Sequence, residues 1–137
     1  MSSVFADSAY WIALISQRDA LHDRALEMAK KFSGAMIVTS DMVLVEVLNI
    51  FASHGEHVRR SATVAVTTIC SDLKVCVVPQ TRELFDQAHK LYRERLDKEW
   101  SLTDCASFVI MNDRSLTRAL THDIHFEQNG CEALLRE

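Results

Sequence analysis

Val4-Phe5-Ala6-Asp7-Ser8 is a short apolar run that stops abruptly on a carboxylate, and Ala9-Tyr10-Trp11-Ile12-Ala13-Leu14-Ile15 follows at once. The run predicts a strand buried on both faces that feeds its first helix. Asp7 then stands at the strand's exit, and in open α/β sheets ligands bind beyond the carboxyl ends of the strands. An acid placed there either caps the next helix, a task for which Ser8 competes, or serves a site. Three further acids at comparable junctions, Glu46, Asp104 and Asp123, weigh toward a site.

The rest of the chain alternates in the same way. Ala20 to Phe32 carries Leu21, Ala25, Met28, Ala29 and Phe32 at helical spacing, and Ser33-Gly34 ends it, with Gly34 as a left-handed cap. Met36-Ile37-Val38 is the next strand, finishing at Thr39-Ser40, one of which caps the helix from Asp41 to Ser53. That helix is apolar around most of its circumference, which predicts near-complete burial. Glu46, Asn49 and Ser53 form its narrow polar strip. After a turn at His54-Gly55-Glu56-His57, Val58 to Leu73 reads as a helix with Val64, Ala65, Ile69 and Leu73 inward. Val75-Cys76-Val77-Val78, closed by Pro79, reads as a strand buried on both faces.

Thr81 caps a long helix reaching about Leu96, with Leu84, Phe85, Ala88, Leu91, Tyr92 and Leu96 as its core stripe and a mixed-charge solvated outer face. Ser101-Leu102-Thr103-Asp104 has the S-x-x-D form of a capping box, so Asp104 has a structural role available to it. Arg118-Ala119-Leu120-Thr121 is strand-like and runs into His122-Asp123, repeating the arrangement at Asp7. Ile124 to Gly130 reads as loop or a short helical turn, and Ala133-Leu134-Leu135 as a last edge strand.

At 137 residues, 48% hydrophobic and 25% charged, the chain has globular composition and suits one domain over residues 1–137. Its 3 Gly and 1 Pro leave little room for linkers, and no repeat or low-complexity segment interrupts it. A net charge of -4 and a pI near 5.8 argue against binding nucleic acid by bulk electrostatics. Such a partner must be held locally, and a cation among clustered carboxylates would cancel part of the excess. Cys70, Cys76, Cys105 and Cys131 form no C-x-x-C pair and read as small core residues, which argues against zinc. With no signal peptide and no apolar run near the ~18 residues of a membrane span, a cytoplasmic protein with reduced thiols and no membrane partner is expected.

Alternating strands and helices predict a three-layer α/β/α sandwich, Rossmann-like, with a central mostly parallel sheet. All four acids then share its carboxyl edge. Four carboxylates repel one another unless a cation lies between them, and hard oxygen donors favour Mg²⁺ or Mn²⁺. Such ions suit phosphodiester hydrolysis.

At these residues the chain resembles the PIN-domain ribonucleases, especially the toxin ribonucleases of VapC type, over nearly its whole length. The matching stretches are Phe5-Ala6-Asp7-Ser8, Thr39-Ser40 with Glu46, Ser101-Leu102-Thr103-Asp104-Cys105 with Ser107-Phe108, and Ala119-Leu120-Thr121-His122-Asp123 with His125-Phe126. The resemblance implies a Mg²⁺- or Mn²⁺-dependent endoribonuclease with Asp7, Glu46, Asp104 and Asp123 as its catalytic, metal-holding acids. It makes Ser8 and Thr103 supporting hydroxyls and has Thr121 shape the site. It further implies an RNA substrate, a small antitoxin partner in a type II toxin-antitoxin pair, and a homodimer.

Three alternatives compete. The domain could be an inert PIN-like module that binds RNA or protein, or the same chemistry could cut structured DNA. His54, His57 and His122-Asp123 also resemble the metal set of HD-type phosphohydrolases, whose HD pair lies on a helix in an all-helical fold. Taken singly, His22, His54, His57 and His89 are expected at the surface or the core edge.

Overall fold

The computed structural model describes residues 2–136. Ser3–Ala6 forms β1, Ser8–Ile15 α1, His22–Lys31 α2, Met36–Ser40 β2, Asp41–Phe51 α3 and Glu56–Ser71 α4. Val75–Val78 forms β3, Arg82–Glu94 α5, Leu102–Asp113 α6, Arg118–Leu120 β4, Ile124–Gln128 α7 and Glu132–Ala133 β5. The strands pair in parallel throughout, in the order β3-β2-β1-β4-β5. A five-stranded parallel sheet with its crossover helices is the α/β/α arrangement expected from the alternating pattern, and it is consistent with the PIN-like fold that the resemblance implies. It excludes the all-helical HD alternative, since His122-Asp123 follows a strand.

β1 is the central strand, and Val4, Phe5 and Ala6 are wholly buried, which explains the uninterrupted apolar run. From β1 the chain builds outward to β2 and β3 on one side, then returns to add β4 and β5 on the other. The order therefore reverses between β1 and β4, the place where open α/β sheets leave a crevice for ligands. Asp7 and Asp123 leave the two strands that flank this crevice.

The helix starts follow their side chains. Ser40 accepts from the Val43 amide at 3.2 Å, Thr81 from Leu84 at 3.0 Å, and Ser101 with Asp104 completes a reciprocal capping box. Each such cap contributes about 1 kcal/mol. Near the site, α6 and α7 are fastened by an aromatic cluster: the ring of Phe108 lies 4.9 Å from both Trp100 and Phe126, edge to face. Phe126 also stacks on Phe5 of β1 at 6.4 Å.

Several burial expectations fail for geometric reasons. α3 buries Val43, Leu44, Val47 and Phe51, but Val45 is 56% and Ile50 49% exposed, because only one face of α3 meets the rest of the chain. Leu73 and Leu96 lie beyond the ends of α4 and α5, so helical phase no longer turns them inward, and both are exposed. α4 begins at Glu56, within the expected turn, and faces inward through Ala62 and Ile69. Val64, about 200° around from Ala62, points outward. Tyr92 of α5 is also exposed.

β3 is an edge strand and only half-buried. Gly34 is not left-handed: the turn closes through the Ala35 amide on the Phe32 carbonyl at 2.9 Å, and among the described residues positive φ values fall at Gly55, Ser115 and Gly130. Cys70 is exposed, while Cys105 is the buried cysteine. Among the described residues no helix is long and apolar enough to cross a membrane.

Candidate active site

Asp7 occupies the N-cap position of α1 but makes no side-chain cap to it. Its Oδ2 instead accepts the Thr121 hydroxyl at 2.9 Å, across to the end of β4. The residue is only 5% exposed. Burial raises its pKa to about 7, the Glu46 and Asp104 carboxylates add to the rise, and the Ser8 amide and Thr121 hydroxyl pull the other way. Between the two roles open to Asp7, capping is the one the side chain does not perform.

Thr121 is wholly buried and serves both acids at the crevice. While its hydroxyl donates to Asp7, its oxygen accepts the Asp123 amide at 3.1 Å. Asp123 caps α7, with Oδ1 accepting the His125 amide at 2.9 Å. Glu46 lies in the second turn of α3, half-buried, and its Oε1 accepts the Ser8 hydroxyl. Asp104 is buried at the start of α6, where its Oδ2 accepts the Ser101 amide at 3.0 Å. For Asp104 the structural and functional readings are compatible, because capping occupies one oxygen only.

The same economy recurs. Oε2 of Glu46, Oδ1 of Asp104 and Oδ2 of Asp123 have no hydrogen-bond partner among the described residues, while each one's other oxygen is tied to the protein. None of the three is sealed from solvent, since Arg24 Nε is the one sealed, unpartnered side-chain polar atom among the described residues. Asp104 and Asp123 are brought together with His125, while Asp7 and Glu46 lie outside that cluster and are tied to it through the influence of the Glu46 and Asp104 charges on Asp7.

His125 has no role that the sequence assigns, yet its Nδ1 lies 2.9 Å from Asp104 Oδ2 and 3.3 Å from Asp123 Oδ1. Ligand atoms of Asp104, Asp123 and His125 all lie within 4.8 Å of one another. The available signal is the D-x-H spacing, which sets a ring beside the cap of a short helix. Thr39, in sequence a candidate cap, accepts Trp11 Nε1 at 3.1 Å and donates to the Ala6 carbonyl at 2.9 Å, bracing β1, β2 and α1 beneath the site. Thr103 behaves differently from Ser8 and Thr121. Its side chain makes no hydrogen bond to the acids among the described residues, and it lines a cleft of about 340 Å³ with Glu46, Asn49 and Gln80. A larger apolar groove of about 530 Å³ beside Trp11, Phe32 and Ile69 contains none of the four acids.

No family model matches the chain. It is 29% identical over 128 residues to the 23S rRNA-specific endonuclease VapC20 of Mycobacterium tuberculosis, found in two strains, covering 93% of this chain and 94% of that protein. The crystal structure of Mycobacterium tuberculosis VapC20, described as a sarcin-ricin loop cleaving toxin, superposes with a TM-score of 0.79 at 26% identity. The match covers 93% of this chain and 95% of that one. Similarity in sequence and in fold bears out the resemblance of this chain to the PIN-domain ribonucleases of VapC type.

Proposed function

We infer that the chain is a toxin-type endoribonuclease that hydrolyses RNA phosphodiester bonds at Asp7, Glu46, Asp104 and Asp123, using Mg²⁺ or Mn²⁺. The observation that supports this is the linkage of the acids around the crevice between β1 and β4: Asp7 feels the Glu46 and Asp104 charges, and Asp104 lies with Asp123 beside His125. Asp7 and Asp104 would be the main residues holding the ion, with Asp123 and Glu46 completing the set. A bound Mg²⁺ or Mn²⁺ supplies positive charge for the phosphoryl oxygens and lowers the pKa of water at the scissile bond. Around it, Thr121 and Ser8 hold Asp7 and Glu46 in place, and the capping box fixes Asp104. The raised pKa of Asp7 means that the metal-free site keeps a proton near neutral pH, which cation binding displaces.

The RNA cleaved by the relative makes the sarcin-ricin loop of 23S rRNA the first substrate to test. A labelled hairpin of that loop, incubated with Mg²⁺, with Mn²⁺ or with excess EDTA, should be cut only in the first two, and Asp104→Asn should be inert. Undiminished cleavage in EDTA would overturn the metal assignment. Failure of the pure protein to cut any RNA in either metal would favour an inert binding module, and cleavage of a DNA hairpin alone would favour the DNA alternative. We further propose a cytoplasmic protein that forms a homodimer and pairs with a small antitoxin. The exposed Val45, Leu48 and Ile50 flank the polar strip of α3 and supply apolar surface that association would cover.

A further inference from the structure

We propose that His125 is a positioning residue: its ring neither binds RNA nor ligates metal, but selects which oxygens of Asp104 and Asp123 are left free. The proposal rests on the metal-binding reading above. Asp104 Oδ2 receives two donors, the Ser101 amide at 3.0 Å and His125 Nδ1 at 2.9 Å. A carboxylate on a single hydrogen bond still swings about its last torsion, which is broad and roughly two-fold. A second donor from a different direction fixes its plane, so Oδ1 is the oxygen left over.

The ring is itself placed by rigid surroundings. Its own amide is held on Asp123 Oδ1 at 2.9 Å, and the next residue, Phe126, is wholly buried against Phe5 and Phe108. The backbone from which the ring projects is therefore fixed, and the ring meets Asp104 from a set starting point. Because an ionised carboxylate only accepts, Nδ1 must carry the hydrogen in this contact. The same N–H lies 3.3 Å from Asp123 Oδ1, so a single donor stands between two carboxylates that otherwise repel. Partners of this kind, behind the atoms that bind an ion, contribute to its affinity by orienting the ligands.

Calorimetric titration of the metal-free full chain with Mn²⁺, without RNA, tests the assignment directly. His125→Ala should weaken Mn²⁺ binding by about 10–100-fold. His125→Asn, whose amide nitrogen takes the place of Nδ1, should recover most of that loss. His125→Gln, whose nitrogen falls nearer Nε2, should not. In steady-state cleavage His125→Ala should lower kcat and leave KM for RNA unchanged.

Equal Mn²⁺ affinity in wild type and His125→Ala overturns the proposal while leaving the metal reading intact. Recovery by Gln and not by Asn also overturns it, since Nε2 would then be a ligand. A wild-type protein that takes up no Mn²⁺ overturns the metal reading, and this inference with it. Should His125→Ala fail to fold, the contrast between Asn and Gln still decides.

Discussion

Replacing Asp7 by Asn removes a charge and almost no volume, and the outcome depends on pH in a way that a capping role could not produce. A plain cap would respond little at any pH, because Asn caps about as well as Asp. In the structure Asp7 is 5% exposed, makes no cap, and has its pKa raised from 3.8 to about 7 by burial and by Glu46 and Asp104. Near pH 5 it is protonated and neutral, so the isosteric amide should change metal-free stability by less than about 0.5 kcal/mol. Near pH 8 it is ionised, and a rise of that size limits the cost of the buried charge to about 4 kcal/mol at most.

Relaxation, and the cost of burying the new amide, reduce the expected gain of Asp7→Asn near pH 8 to about 1–3 kcal/mol. With a urea dependence of about 2 kcal/mol per molar, the unfolding midpoint should rise by roughly 0.5–1.5 M in EDTA near pH 8 and stay put near pH 5. Saturating Mg²⁺ should reverse the order, since a ligand at about 1,000 times its Kd adds about 4.1 kcal/mol to wild type and little to the variant. Cleavage should be lost under all these conditions. A midpoint shift that is the same at both pH values, or an Asp7→Asn protein that cuts RNA at the wild-type rate, would refute the reasoning.

The metal-free wild type should itself lose stability as pH rises from about 4 to about 7: its raised Asp7 makes the native state bind more protons than the unfolded chain there. The fall is at most about 4 kcal/mol from this group, measurable by urea titration, and saturating Mn²⁺ should flatten it. Thr121→Val removes the donor to Asp7 and the acceptor of the Asp123 amide together, so a loss of about 1–3 kcal/mol is expected in chemical denaturation, with weakened Mn²⁺ binding. Phe126→Ala should cost about 3–5 kcal/mol and raise amide exchange across α7, because a fully buried ring leaves a cavity between Phe5 and Phe108.

The order of elements was legible because period and punctuation agreed along the chain. Val4-Phe5-Ala6 had the uninterrupted apolar character of a central strand, and Ser40, Thr81 and Ser101 each cap the helix that follows them. Burial was legible only where a helix has one partner face. For α3, Val45 and Ile50 belong to the same apolar pattern as the buried Val43 and Val47, so composition could not separate a face packed within the chain from one left open. Leu73 and Leu96 show a second limit. An apolar residue one or two positions past a helix end keeps its place in the sequence pattern and loses its place in the core.

Asp7, Asp104 and Asp123 stood out in sequence at strand exits and a helix start, and Glu46 on the polar strip of α3, whereas the contacts that hold them were not legible. Thr121, Ser8 and His125 act on partners 114, 38 and 21 residues away in sequence, Asp7, Glu46 and Asp104 respectively, and no local pattern encodes such pairings. Asp104 shows why the ambiguity was real. A capping box asks one carboxylate oxygen to accept an amide, and a metal site asks for the other, so one residue satisfies both demands and neither reading excludes the other. What distinguishes the site from a set of caps is the second oxygen. A protein that needed only caps would gain by replacing buried acids with Ser or Asn, which cap as well and do not repel one another. This chain instead keeps Asp7 buried beside Glu46 and Asp104, at a cost in metal-free stability that a bound cation would offset.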